Sequence, residues 1–103
     1  MVTDKLIELV KRELKITWSD TDTDAEVEAL VSDAVPALAF KLGIRDADID
    51  FETPGQERRL FLNYCHYIYD DMPEEFDSAY LSEILQLRSK YEVKYGKEEN
   101  QNV

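Results

Sequence analysis

What this sequence has little of narrows it quickly. Three glycines and three prolines in 103 residues are too few turn formers for a sandwich or barrel of many short strands. The single cysteine, Cys65, has no partner for an internal disulfide, so nothing points to an oxidising compartment. The single histidine, His66, leaves a zinc site or a Ser-His-Asp triad short of its usual members. No apolar run approaches the roughly 20 residues that span a bilayer. The N-terminal MVTDKLIELVKREL carries a charge every few residues, unlike the apolar block of a secretory leader. The expectation is a soluble, intracellular chain of one domain with one modest core.

Positive charge is also scarce. Twelve Lys and Arg face 23 Asp and Glu, for a net charge of −11. Residues 18–57 hold eleven acidic and two basic groups, whereas both ends of the chain are slightly basic. Gripping a phosphate backbone needs clustered Lys and Arg. An acidic surface instead suits one that a duplex slides past without sticking.

Helical periodicity is abundant. A first helix fits residues 4–15: Thr3 can cap it, and Leu6, Ile7, Val10 and Leu14 form its stripe. Ile16 and Trp18 follow in a connector, with Trp18 expected against the body of the fold. The next stretch, SDTDTDAEVEALV, places aspartates at 20, 22 and 24. A calcium loop beginning at Asp20 needs Gly at its sixth position and Glu at its twelfth; Ala25 and Val31 stand there. Thr23-Asp24-Ala25-Glu26 instead matches a capping box, and Val27, Leu30, Val31, Ala34, Val35, Leu38 and Leu42 continue at helical spacing. The aspartates therefore start a helix, which Gly43 stops and Pro36 should kink or split.

Residues 44–53 read as a connector in which Ile49 and Phe51 alternate with acids, an extended segment with one covered face. Thr53-Pro54-Gly55-Gln56 resembles a second capping box, with Pro at the first helical position. The third helix follows to about residue 71, with Leu60, Phe61, Tyr64, Cys65 and Ile68 as its stripe. Leu62, Tyr67 and Tyr69 make it apolar on most sides, which suits a central helix or one covered by a neighbouring subunit. Pro73 then opens a long helix with the stripe Phe76, Tyr80, Ile84, Leu87, Tyr91 and Tyr95, widened by Leu81 and Leu85 and ended by Gly96. The fold class expected is all-α, a compact bundle of about four helices with a long C-terminal helix. Residues 1–96 form the domain and 97–103 a flexible polar tail.

Reactive constellations are thin. Cys65 and His66 are adjacent, so on a helix they point about 100° apart and pair poorly as nucleophile and base. Cys65 falls on the apolar stripe. Acid pairs such as Asp70-Asp71 and Glu74-Glu75 are many, and none is singled out by an apolar setting. The expectation is no enzyme, no cofactor and no metal.

The segments LKITWSDTDTDAEVEALVSDA, LFLNYCHYIYDD and AYLSEILQLRSKYEVKYG, in this order, resemble the small helical head–tail connector (adaptor, head-completion) proteins of tailed bacteriophages and prophages. The resemblance spans residues 3–96. It implies a non-enzymatic virion protein at the head–tail junction, made in the bacterial host cytoplasm. Such a protein forms a homo-oligomeric ring of about twelve copies below the portal, extends the DNA channel, and docks the stopper or tail; DNA passes through without specific binding. It also implies that the C-terminal region holds the portal, here Tyr91, Lys94, Tyr95 and the tail after Gly96, while the basic stretch Arg88, Lys90, Lys94 and Lys97 offers a face to a neighbouring subunit. A ring needs two different faces on one subunit. The acidic segment Asp46, Asp48, Asp50 and Glu52, or residues 20–28, is expected to approach the C-terminal helix of the next copy, or to face the channel. The alternative is an acidic helical binding module that imitates DNA and masks a basic protein partner.

Overall fold

The computed structural model describes residues 2–18 and 20–101, with side chains through residue 97. Its elements are α1 (Asp4–Glu13), α2 (Thr21–Leu42), a 3-10 turn (Asp46–Asp48), α3 (Gln56–Tyr69), α4 (Pro73–Ala79) and α5 (Leu81–Gln101). The described residues contain no strand, so the all-α class holds, with five helices where about four were expected. The last two residues of the expected polar tail, 102 and 103, lie outside the described residues.

Capping chemistry sets the helix starts, and two boxes read from the sequence are corrected. Thr3 caps α1, its hydroxyl oxygen accepting from the Leu6 amide at 3.1 Å. That hydroxyl also donates to Glu52 at 2.7 Å, tying α1 to the loop after α2. For α2 the cap is Asp20, not Thr23: Asp20 Oδ1 accepts from the Thr23 amide at 2.8 Å and Oδ2 from the Thr23 hydroxyl at 3.0 Å. A carboxylate at Asp20 satisfies both groups and begins the helix earlier than a Thr23 cap would. Before α3, Thr53 caps nothing. Its hydroxyl and amide bond to Asp50, as does the Glu52 amide, and the helix begins after Gly55 with no side-chain cap. Pro54 accordingly precedes the helix instead of opening it.

The ends of α1, α2 and α3 share one device. After α2 the Ile44 amide reaches back to the Ala39 carbonyl at 2.9 Å, and Gly43 takes the left-handed conformation at φ 71°. The same crossed pair of bonds closes α1 around Lys15 (φ 59°) and α3 around Asp71 (φ 62°), neither of them glycine. Pro36 neither splits α2 nor ends it; the helix is continuous to Leu42. Gly96 does not end α5, which runs on to Gln101.

The core is apolar throughout: among the described residues no polar or charged residue is buried, and the buried set spans all five helices and the connectors. Helix α2 packs on α1, α3 and α5, while α3 packs on α2, α1 and α4, so these two share the centre. The 44–55 loop pins down through Ile44 and Phe51, and the Phe51 ring stacks on Phe61 with centroids 4.6 Å apart. The chain breaks at Tyr80, where one long helix was expected. Phe76 turns under α3 among Tyr64, Tyr67 and Tyr80, whereas Ile84, Leu87, Tyr91 and Tyr95 are buried along α5, which packs on α2. A single straight helix could not follow both neighbours.

Left-handed backbone costs an ordinary residue about 1–2 kcal/mol and glycine little. Lys15→Gly should therefore raise the urea unfolding midpoint, by up to about 1 kcal/mol in stability, while Gly43→Ala lowers it by a similar amount.

Candidate interaction surface

The C-terminal residues assigned to an interface are joined to the acidic loop of the same chain. The Tyr95 hydroxyl donates to Asp48 Oδ2 at 2.9 Å and accepts from the Arg45 amide at 2.9 Å. The Arg45 guanidinium lies 4.0 Å from the centre of the Tyr95 ring, and Lys94 Nζ is 3.4 Å from Asp48. One turn earlier, Lys90 and the Tyr91 hydroxyl both donate to Glu57 Oε2 at 2.7 Å. Arg88 donates to the Lys41 carbonyl at 3.1 Å. Tyr91 and Tyr95 are buried. Asp48 is thus a partner of α5 within one copy, as is Glu57 on the first turn of α3. Asp50 is used in its own loop, and Glu52 accepts from Thr3. Asp46 stands exposed at the start of the 3-10 turn.

These bonds shift the titrations. The Tyr95 hydroxyl, against a smaller opposing effect of burial, holds Asp48 below its ordinary 3.8. The Thr53 hydroxyl and the amides of Thr53 and Glu52 do the same for Asp50. Partial burial pushes Glu57 up, but the bonds from Lys90 and Tyr91 outweigh it and leave Glu57 below its ordinary 4.5. Burial first, and Glu57 second, raise Tyr91.

The residues weighed for chemistry are placed apart. Cys65 is buried, and burial pushes its thiol up to about 12, so the reactive thiolate is scarce at neutral pH. His66 is exposed and lies 3.3 Å from Asp70, the residue just after its own helix. Asp20 caps α2, and Asp24 pairs with Lys11 at 2.6 Å. Among the described residues no group of three or more His, Cys, Asp or Glu is placed to hold a metal, and no helix is long and apolar enough to cross a membrane.

The open surface lies elsewhere. Phe40, on the last turns of α2, is 83% exposed. Leu81 and Leu85, expected to widen the α5 stripe, are 54% and 55% exposed. With Ile84 these side chains line a groove of about 360 Å³ between α2 and α5. Lys41, Asp77 and Arg88 complete it, and Lys41 pairs with Asp77 at 3.0 Å. Trp18 is a second correction: its ring is 53% exposed instead of packed on the body. Its indole N–H donates to the Thr23 hydroxyl at 3.1 Å, which holds the ring where it stands. The sequence carried one signal of this surface. Phe40 falls out of phase with Leu38 and Leu42, and an aromatic off the stripe of an amphipathic helix has no core to enter.

Carboxylates whose folded pKa is lowered contribute stability that is complete above their unfolded values and lost as pH falls through the folded ones. Urea midpoints should therefore hold steady down to about pH 5 and fall below about pH 4.5. The pair of changes Asp48→Asn and Glu57→Gln should lower the neutral-pH midpoint and flatten that acid decline. An unchanged slope would show that these two groups do not anchor the loop and α3 to α5.

A scan against protein-family models finds no match, and searches of curated proteins and of solved structures find none either.

Proposed function

We propose that this chain is a structural assembly subunit of the head–tail connector kind, a non-enzymatic virion protein that sits below a phage portal, extends its channel and receives the stopper or tail. The observation that carries the reading is the exposed apolar groove at Phe40, Leu81 and Leu85. A closed helical body that leaves a nearly free phenylalanine beside two half-exposed leucines offers a surface for another protein. The order of elements adds support: a short helix, the Trp18 connector, an acid-capped helix, an aromatic helix and a Tyr-rich C-terminal helix. Lys90, Tyr91, Lys94 and Tyr95 bond within the subunit, and the groove beside Arg88 adds an apolar surface to the one they line.

The experiment is electron microscopy of the purified protein, alone and mixed with the portal protein encoded in the same gene neighbourhood. Added density as a ring on one end of the portal is expected. Absence of any association at micromolar concentrations would remove the connector reading. Duplex DNA gives an independent check. With its net charge of −11, the protein should leave the anisotropy of a labelled duplex unchanged at low salt. Tight, salt-sensitive binding would contradict a channel that DNA passes freely.

A further inference from the structure

The outer face of α2 carries charge of one sign only. From Ile16 to Phe40 the chain has six acidic residues and no Lys or Arg. Asp20 caps the helix and Asp24 pairs with Lys11. Asp22, Glu26, Glu28 and Asp33 are exposed, and among the described residues none of these four is paired. At about 100° per residue, Asp22, Glu26, Asp33 and Phe40 fall within roughly 40° of one another. The strip beside that edge holds only Ala25, Ala29, Ser32 and Pro36, all exposed, and Glu28 lies on its far side. Asp22 and Glu26 stand at i,i+4, a spacing at which like charges repel and at which a solvated helix gains from opposite ones.

A face built this way fits a cationic partner. Lys and Arg lay their methylene stems along small side chains and carry their charges to the rim. The low strip of Ala, Ser and Pro gives those stems room, and the carboxylates along its edges receive the heads. Asp22 to Asp33 covers about 16 Å of helix axis, so the answering cations must be spread along a segment of similar length. Phe40 continues the same edge into the apolar groove with Leu81 and Leu85. Lys41 and Arg88 flank that groove and disfavour a cation there, so the occupant changes from basic to apolar along its length. A second copy is a poor source of such a segment. Its Lys90 and Lys94 are held by Glu57 and Asp48, and its Arg12 and Lys15 lie within one turn of each other, beside Glu8. Two chains of net charge −11 also repel.

We propose that the outer face of α2 docks a basic amphipathic segment of a different protein. Its Lys and Arg lie along Asp22, Glu26, Glu28 and Asp33, and its apolar end enters the Phe40–Leu81–Leu85 groove. The inference rests on the assembly-subunit reading above in taking that groove as a surface for another protein. It adds the chemistry of the partner and the direction in which the partner lies: basic toward the start of α2, apolar toward its end.

The probe is a labelled helical peptide with arginines along one face and leucines at one end, read by fluorescence anisotropy. The wild-type chain should bind it at low salt, and added salt should weaken the binding. An α2 variant combining Asp22→Asn, Glu26→Gln and Asp33→Asn should bind at least about tenfold more weakly. A control variant combining Glu74→Gln, Glu75→Gln and Glu92→Gln removes the same charge from exposed positions off this face, and should bind as the wild type does. Phe40→Ser should weaken binding of the leucine-ended peptide but not of one with serines in place of the leucines. All these positions are exposed, so each variant should keep the helical circular dichroism. A control variant that loses as much affinity as the α2 variant, a Phe40→Ser chain that binds like wild type, or a wild-type chain that fails to bind at micromolar peptide would overturn the proposal. So would self-association of the wild-type chain that the α2 variant abolishes, because a second copy would then be the occupant. An α2 variant that binds peptide like wild type and still adds a ring to the portal would overturn the docking alone and leave the connector reading standing.

Discussion

Val27, Val31, Ala34, Val35, Leu38, Ala39 and Leu42 give α2 a buried arc of roughly 140°, wider than one neighbouring helix covers. Three helices therefore close over it: α1 and α3, which also touch each other, and α5. This demand explains features that local sequence does not. The chain must turn sharply after α2 to bring α3 back, and the Gly43 stop with the Ile44 and Phe51 anchors makes that turn. It must turn again after α3 to bring α5 onto α2. Met72 and the short α4 make that second turn, with Phe76 filling the space beneath α3.

The polar interactions follow the same plan. With no buried polar residue among those described, hydrogen bonds and ion pairs act as clasps at the edge of the core. Tyr95 to Asp48, Lys90 and Tyr91 to Glu57, and Thr3 to Glu52 each join α1 or α5 to the 44–57 segment. Tyr91 and Tyr95 suit this work because their rings enter the apolar layer while their hydroxyls reach its rim. Surface ion pairs alone are worth little; a tyrosine hydroxyl bonded to a carboxylate at a half-buried edge fixes position more firmly. The same clasps leave the acidic loop largely engaged within the subunit, while Phe40, Leu81, Leu85 and Trp18 stand outside the core.

Those surfaces are where sequence reading fell short. Leu81 and Leu85 sit one position beyond the Tyr80–Ile84 line, and periodicity alone assigns them to a widened stripe. Within α5 the buried Ile84, Leu87, Tyr91 and Tyr95 share an arc of roughly 80°, and Leu81 and Leu85 fall beyond its edge and turn outward. Trp18 was expected inside because large apolar side chains usually are, yet its N–H finds Thr23 on the surface. The Thr23 and Thr53 boxes failed for one reason: in each, an aspartate three residues earlier competed for the same threonine and won. A boundary read from one motif is open to displacement by a stronger acceptor nearby.

By itself, the sequence determined the all-helical class, the stripes of α1 and α2, the Thr3 cap, the Gly43 stop, the entry of Pro73 into a helix and the burial of Cys65. Each follows from spacing or from backbone chemistry within a few residues. Tertiary structure decided where the long C-terminal stretch breaks, which acids pair with which tyrosines, and which apolar side chains face outward. Those outcomes depend on residues such as Asp48 and Tyr95, brought together from 47 positions apart, and no local pattern encodes a meeting at that separation.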